Sequence, residues 1–198
     1  SPKHIAAHAH SDILSFNLFK RGKPFFIEAG TSIYEKGFIR NYERSALAHN
    51  MLQLGLIKRN LIDEQIKWIE PVEVWDSFRA GRKAEPLMRK CGKSDNGSLW
   101  TKGSHNAYRC FGVDHQRNLE LTVENSNQTW FRLSDQVQCE DSMYWRQIWH
   151  LGPDQSDLIF SEIIKQIKQD HSCKYDIYTT SFSEKFGKRI QRKTLCFF

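Results

Sequence analysis

The 198 residues are enough for one substantial domain, and a 39% hydrophobic share with 13 Phe, 6 Tyr and 6 Trp excludes a disordered tail. No apolar run is long enough to cross a bilayer, so no membrane span is expected. The net charge of +6 favours acidic partners, but Lys and Arg are scattered and no nucleic-acid-binding motif occurs; an anionic polysaccharide would suit so diffuse a positive field equally well, and charge by itself decides little. The opening Ser1-Pro2-Lys3 carries neither an initiating Met nor a signal segment, and reads as a fragment or mature product cut from an upstream partner. Five widely spaced cysteines without a C-x-x-C pair argue against a thiolate zinc site or redox motif, and predict buried free thiols in a β core.

In chain order the pattern is mainly strands. Leu14, Phe16 and Leu18 alternate with Ser15 and Asn17, which predicts a strand over Ile13 to Phe19. Turn chemistry at Lys20-Arg21-Gly22-Lys23-Pro24 and the return of Phe25-Phe26-Ile27 predict a hairpin. Met51 to Leu54 reads as a strand ended by Gly55, and Glu85 to Gly103, with four Pro or Gly among polar residues, as a long surface loop. Leu119, Leu121 and Val123 alternate with Glu120, Thr122 and Glu124, and Trp130 to Val137 and Tyr144 to Leu151 follow as aromatic-rich strands. Ile159, Ile163, Ile164 and Ile167 recur at helical spacing between Asp157 and Asp170, before strands at Tyr175 to Tyr178 and Arg192 to Phe198. Many short strands and one short late helix predict a mainly β fold, an antiparallel β-sandwich spanning 1–198, with a small terminal β unit conceivable from about residue 155.

The densest group of chemical residue types lies in the first fifty positions. His8-Ala9-His10 places two imidazoles two residues apart, on one face if the backbone is extended. Such a pair presents metal ligands, or one ligand beside a proton-transfer group; two singly bonded histidines are the plain alternative. Glu28 closes an apolar strand just before a Gly turn, and His49-Asn50 opens another strand. Two histidines and a carboxylate match zinc with an open fourth position, with calcium or manganese still conceivable.

The same segments resemble the heparinase II/III-like domain of bacterial polysaccharide lyases. The matching pieces are Ala7-His8-Ala9-His10-Ser11-Asp12-Ile13-Leu14-Ser15-Phe16, Glu28-Ala29-Gly30-Thr31-Ser32-Ile33-Tyr34 and Arg40-Asn41-Tyr42-Glu43-Arg44-Ser45-Ala46-Leu47-Ala48-His49-Asn50. Weaker echoes run through Trp75 to Arg82, Ser104 to Tyr108, His115 to Arg117 and Trp149 to Pro153. The resemblance implies zinc on His10, Glu28 and His49, with Glu28 standing where the family usually has Asp. It further implies that His8 and Tyr34 face the substrate, as base or base's helper and as proton-exchanging phenol. The implied reaction is β-elimination on a uronic-acid-containing polysaccharide, with an upstream α/α toroid domain completing the site and the isolated sandwich inactive. Periplasmic or secreted localisation is implied in the same way.

Arg40 and Arg44 beside the cluster are candidates to grip substrate carboxylates or sulfates, against a plain reading as solvated arginines. His105 reads as a satisfied structural histidine and His150 as core; Trp130, Trp145 and Trp149 read as sandwich packing. A catalytically silent polysaccharide-binding or structural domain of the same fold is the alternative function.

Overall fold

A computed structural model describes residues 8–59, 64–75, 78–125, 128–153, 159, 161–165 and 174–198. The strands are β1 (Leu18–Lys20), β2 (Lys23–Phe26), β3 (Leu52–Arg59), β4 (Glu64–Trp68), β5 (Pro86–Lys93), β6 (Leu99–His105), β7 (Val113–Asn125), β8 (Gln128–Cys139), β9 (Tyr144–His150), β10 (Tyr175–Lys185) and β11 (Lys188–Phe197). Helix α1 (Phe38–Arg44) precedes a 3-10 turn at Ala46–Ala48, and a second 3-10 turn spans Arg109–Phe111. β5-β6-β7-β8 form an antiparallel meander, and β10-β11-β9-β3-β4 form a five-stranded antiparallel sheet.

The alternation along β7 explains how the two sheets meet. Leu119 faces inward beside Phe131 and Leu133 of β8, against Trp149 of β9 and Leu195 and Phe197 of β11. Phe16 and Phe26 fill the space between, their rings 5.9 Å apart in an edge-on arrangement. Burying side chains of this size is worth roughly 1.5–3 kcal/mol each. A second cluster, around Leu52, Leu54, Ile69, Val113 and Tyr108, closes the other end of the sandwich. The antiparallel β-sandwich expected from the strand pattern is the fold observed.

Several local expectations are corrected. Residues 85–103 are the hairpin β5–β6, and only the turn from Ser94 to Ser98 is loop. The glycines misled because they serve cross-strand packing: the Trp100 indole takes the space over Gly92, and Leu14 that over Gly103. Gly55 does not end β3, which runs on to Arg59; it sits beneath Ile66 and Trp68 of β4. The strand predicted from Ile13 shrinks to Leu18–Lys20, because Leu14 adopts φ 60°, outside any strand geometry. Cys91, Cys110 and Cys139 are exposed and only Cys196 is buried, so the buried-thiol expectation holds for one of these four. Trp149 packs the sandwich as expected, whereas Trp130 and Trp145 are exposed. Of the late helix, 159 and 161–165 are helical and Ile163 and Ile164 reach the core; Ile167, Asp157 and Asp170 lie outside the described residues. Among the described residues no helix is long and apolar enough to cross a membrane.

Candidate active site

No apolar periodicity marks Phe38–Arg44 as helical, because the inward stripe of α1 is charged. Arg40, Glu43 and Arg44, at spacings of three and four, share one buried face. The Glu43 carboxylate accepts from the Ser32 backbone N–H at 3.0 Å and from the Ser32 hydroxyl, fixing the stretch that leads to Tyr34. Arg44 donates to the carbonyls of Ala9 at 3.1 Å, Trp75 at 2.8 Å and Arg79 at 3.1 Å. Its own carbonyl receives Ser11 N–H at 2.8 Å. Arg44, expected to grip substrate, is therefore fully buried and holds the His8–Asp12 stretch in place; its donors are turned to the interior.

Arg40 differs. It is 1% exposed, and none of its guanidinium nitrogens has a hydrogen-bond partner. Its Cζ lies 5.1 Å from the centre of the Tyr34 ring. The Glu43 carboxylate lies within electrostatic reach but forms no ion pair with it, so the buried guanidinium keeps its donors for a further anion close by.

His8 and Tyr34 come together, with ring centroids 5.7 Å apart and planes nearly perpendicular. Phe78 lies 5.9 Å from His8 and 5.7 Å from Tyr34, and Phe186, from the tip of the β10–β11 hairpin, lies 5.1 Å from Tyr34. All four are exposed. Neither phenylalanine is singled out by the sequence: Phe78 lies within the Trp75–Arg82 echo of the family without a role assigned to it, and nothing local sets Phe186 apart from other surface aromatics.

His10, Glu28 and His49 form the neighbouring group. The His10 and His49 rings lie 5.4 Å apart, and His49 Nδ1 is 3.2 Å from Glu28 Oε1. His49 is 2% exposed, yet neither ring nitrogen makes a hydrogen bond. Burial, followed by the nearby charges of His49, Arg40 and Arg44, lowers the His10 pKa to about 4, so this imidazole is neutral at pH 7. Burial alone would raise the Glu28 carboxyl; the close contact and charge of His49, with Ser15 and His10, outweigh it and hold the carboxyl below its ordinary range. A neutral His10 imidazole and an ionised Glu28 carboxylate are in the protonation states that ligation of a divalent cation requires. Among the described residues no three such donors close on a single point, so they stand as neighbours rather than as a formed cage. Asp12, at the open rim, lies within electrostatic reach of His49 and Glu28. The alternation that links His8 and His10 runs on to Asp12 and was the signal that could have found it.

Behind this group a buried network fixes the backbone. Asn50 Nδ2 donates to Phe16 O at 2.9 Å, and Asn50 Oδ1 accepts from His150 N–H at 2.6 Å. Arg117 donates to Asn50 O and Leu14 O, each at 2.9 Å, and pairs in bidentate fashion with Asp135. Ala107 N–H donates to His105 Nδ1, so His105 Nε2–H donates to His115 Nδ1 at 2.9 Å and His115 Nε2–H to Asp135 at 2.7 Å. His105 is thus a satisfied structural histidine, as expected. His150 is too, buried between the Thr194 hydroxyl and Leu47 O.

The family model described as "Heparinase II/III-like, C-terminal" matches residues 1–191. Among solved structures the chain is similar to a mutant of heparan sulfate lyase HepC from Pedobacter heparinus, with a TM-score of 0.60 at 16% identity. It is likewise similar to the protein described as "Heparinase III-BT4657 gene product", with a TM-score of 0.59 at 14% identity. Each likeness covers 96% of this chain and only 28% of the other, so the chain spans just over a quarter of the length of those proteins. At such identities the likeness speaks for the fold. No curated protein sequence matches the chain.

Proposed function

The chain belongs to the heparinase II/III-like family, matched through the family's C-terminal domain, and on that footing we propose that it forms the sandwich wall of a polysaccharide lyase site acting on a uronic-acid-containing anionic polymer. One of the similar proteins is described as a heparan sulfate lyase and another as a heparinase III, which supports a glycosaminoglycan-type substrate. In the proposed reaction a base removes the C5 proton of the uronate. The C5–H pair becomes a C4–C5 double bond as the C4–O bond breaks, and the departing oxygen takes up a proton. His8 and Tyr34 are the groups in this chain for the two proton transfers. The observation that carries the reading is their meeting at 5.7 Å on an exposed face, with the unpaired Arg40 guanidinium behind the phenol ring. A cation there favours the charge that develops when the C5 proton leaves, and Arg40 is the residue proposed to draw in the uronate carboxylate.

His10, Glu28 and His49 are proposed to hold a zinc ion. Their donor types fit it, His10 is neutral and Glu28 ionised, and His49 Nε2, buried without a hydrogen-bond partner, fits a ligand role. When bound, the ion cross-links the segments that carry His8, Tyr34 and Asn50. The remaining catalytic groups are proposed to come from an upstream α/α toroid domain in the longer parent, outside the cytoplasm.

Elemental analysis of the purified chain tests the metal, and the longer parent tests the chemistry. About one zinc per chain, lost in His10→Ala and His49→Ala, is expected for a three-ligand site. In the parent, His8→Ala is expected to abolish release of unsaturated uronate products while leaving the unfolding midpoint unchanged. Retained product release in His8→Ala would overturn its role as base, and no bound metal after zinc is supplied would overturn the zinc site.

A further inference from the structure

The outward face of the β5–β8 meander carries mostly polar side chains. Strand register assigns its side chains. Lys90, Lys102, Asn118 and Ser134 stand in one row across the four strands, because they are directly paired partners. They alternate with Leu119 and Leu133, which face the core. In the next row Gly92 faces Trp100, and two residues further along β8 stands Trp130, 50% exposed. A Cβ on Gly92 would lie 2.7 Å from Trp100 Cζ2, so the indole covers the glycine and lies against the sheet. On the other side of the lysine row, Gln116 Nε2 approaches Gln136 Oε1 at 3.5 Å, leaving further amide capacity for other partners.

Two features of this face are unexplained by folding. Lys90 and Lys102 are directly opposed like charges, which destabilises a cross-strand pair. Trp130 is held half exposed on the outward face although the core lies on the other side, with the half-buried Trp100 indole lying flat over Gly92 close by. Both make sense against a polyanion built of sugar rings: indoles take the apolar faces of the rings, amides and hydroxyls take ring hydroxyls, and ammonium groups take carboxylates or sulfates. In the row beside the lysines, the Glu120 carboxylate is 3.8 Å from Arg132 of the same face. We propose that the outer face of β5–β8 is a second binding surface for an anionic polysaccharide, separate from the His8–Tyr34 cleft and serving to hold the polymer. The choice of polymer rests on the lyase reading; the surface itself rests on the sheet.

The test is affinity of the purified chain for heparan sulfate and for alginate, measured by calorimetry or biosensor across a salt series, with duplex DNA as a charge control. Lys90→Glu/Lys102→Glu is expected to weaken polysaccharide binding roughly tenfold and to flatten its salt dependence. Trp130→Ala, at an exposed position that folding does not need, is expected to weaken binding severalfold at every salt concentration. His8→Ala is expected to bind the polymer like the unaltered chain, which separates this surface from the proposed cleft. Equal affinity of the lysine and tryptophan variants with the unaltered chain, or no polysaccharide binding at all, would overturn the proposal. Loss in the lysine variant alone, with duplex DNA bound as tightly, would overturn it in favour of a mere positive field.

Discussion

Replacing Asn50 by alanine removes two hydrogen bonds at once, and both partners are backbone groups that cannot turn elsewhere. Phe16 O loses its donor at 2.9 Å and His150 N–H its acceptor at 2.6 Å. Asn50 is fully buried, so water does not replace them. An unsatisfied buried group costs about 1–3 kcal/mol, so two of them cost roughly 2–6 kcal/mol together. Against a usual total of about 5–15 kcal/mol this is a large share. In a domain of this size each kcal/mol moves the melting point by about 2–4 °C, so a fall of roughly 4–24 °C is expected. Asn50→Asp keeps the acceptor for His150 N–H but loses the donor to Phe16 O, and should lose more than a conservative surface change because it also buries a charge. Urea unfolding followed by tryptophan fluorescence gives the free energies. Because Asn50 follows His49 directly, the alanine variant is also expected to bind less zinc. A loss within 1 kcal/mol would show that the Phe16 and His150 groups find other partners, and the clamp reasoning would fall.

Acid should destabilise the fold in two stages. Burial, then the charges of His115 and Arg117, lowers His105 to about 3, and burial lowers His150 well below its ordinary value. Both are protonated in the unfolded chain below about pH 6.5 but not in the folded one, so stability falls as pH drops below that, by up to about 3 kcal/mol per pH unit for two groups. Asp135 is opposite: burial would raise it, but Arg117 and the His115 bond outweigh this and hold it low, so its contribution is present above about pH 4 and lost below. Urea midpoints measured from pH 8 to 4 check this, and a flat profile between 7 and 5 would contradict it. Gly30→Ala and Gly22→Ala form a matched pair. Both glycines have φ near +75° (+72° and +77°), but a Cβ on Gly30 would meet Ser183 O at 2.5 Å while one on Gly22 meets nothing. Gly22→Ala should cost about 1–2 kcal/mol from conformation alone, and Gly30→Ala clearly more; equal midpoints would show that the β10–β11 hairpin yields to the new methyl.

Where the chemistry of a residue is local, it was legible; where it is made by distant partners, it was not. The alternation of Leu119 and Leu121 against Glu120 and Thr122 announces a half-buried strand without help from the rest of the chain, and the sandwich follows from several such stretches. α1 escaped for the opposite reason. Its buried stripe is Arg40, Glu43 and Arg44, and no apolar periodicity can report a helix whose inward face is charged. The β5–β6 hairpin escaped because Gly92 and Gly103 read as breakers, although each is required by one large neighbour, Trp100 or Leu14. The two arginines of α1 had the same sequence signal and parted only in three dimensions. Arg44 meets the carbonyls of Ala9, Trp75 and Arg79, which lie 35, 31 and 35 residues away, whereas Arg40 meets none. The unpaired member of such a pair is the one left to meet a ligand, and that distinction depends on chain segments whose closeness no local pattern encodes.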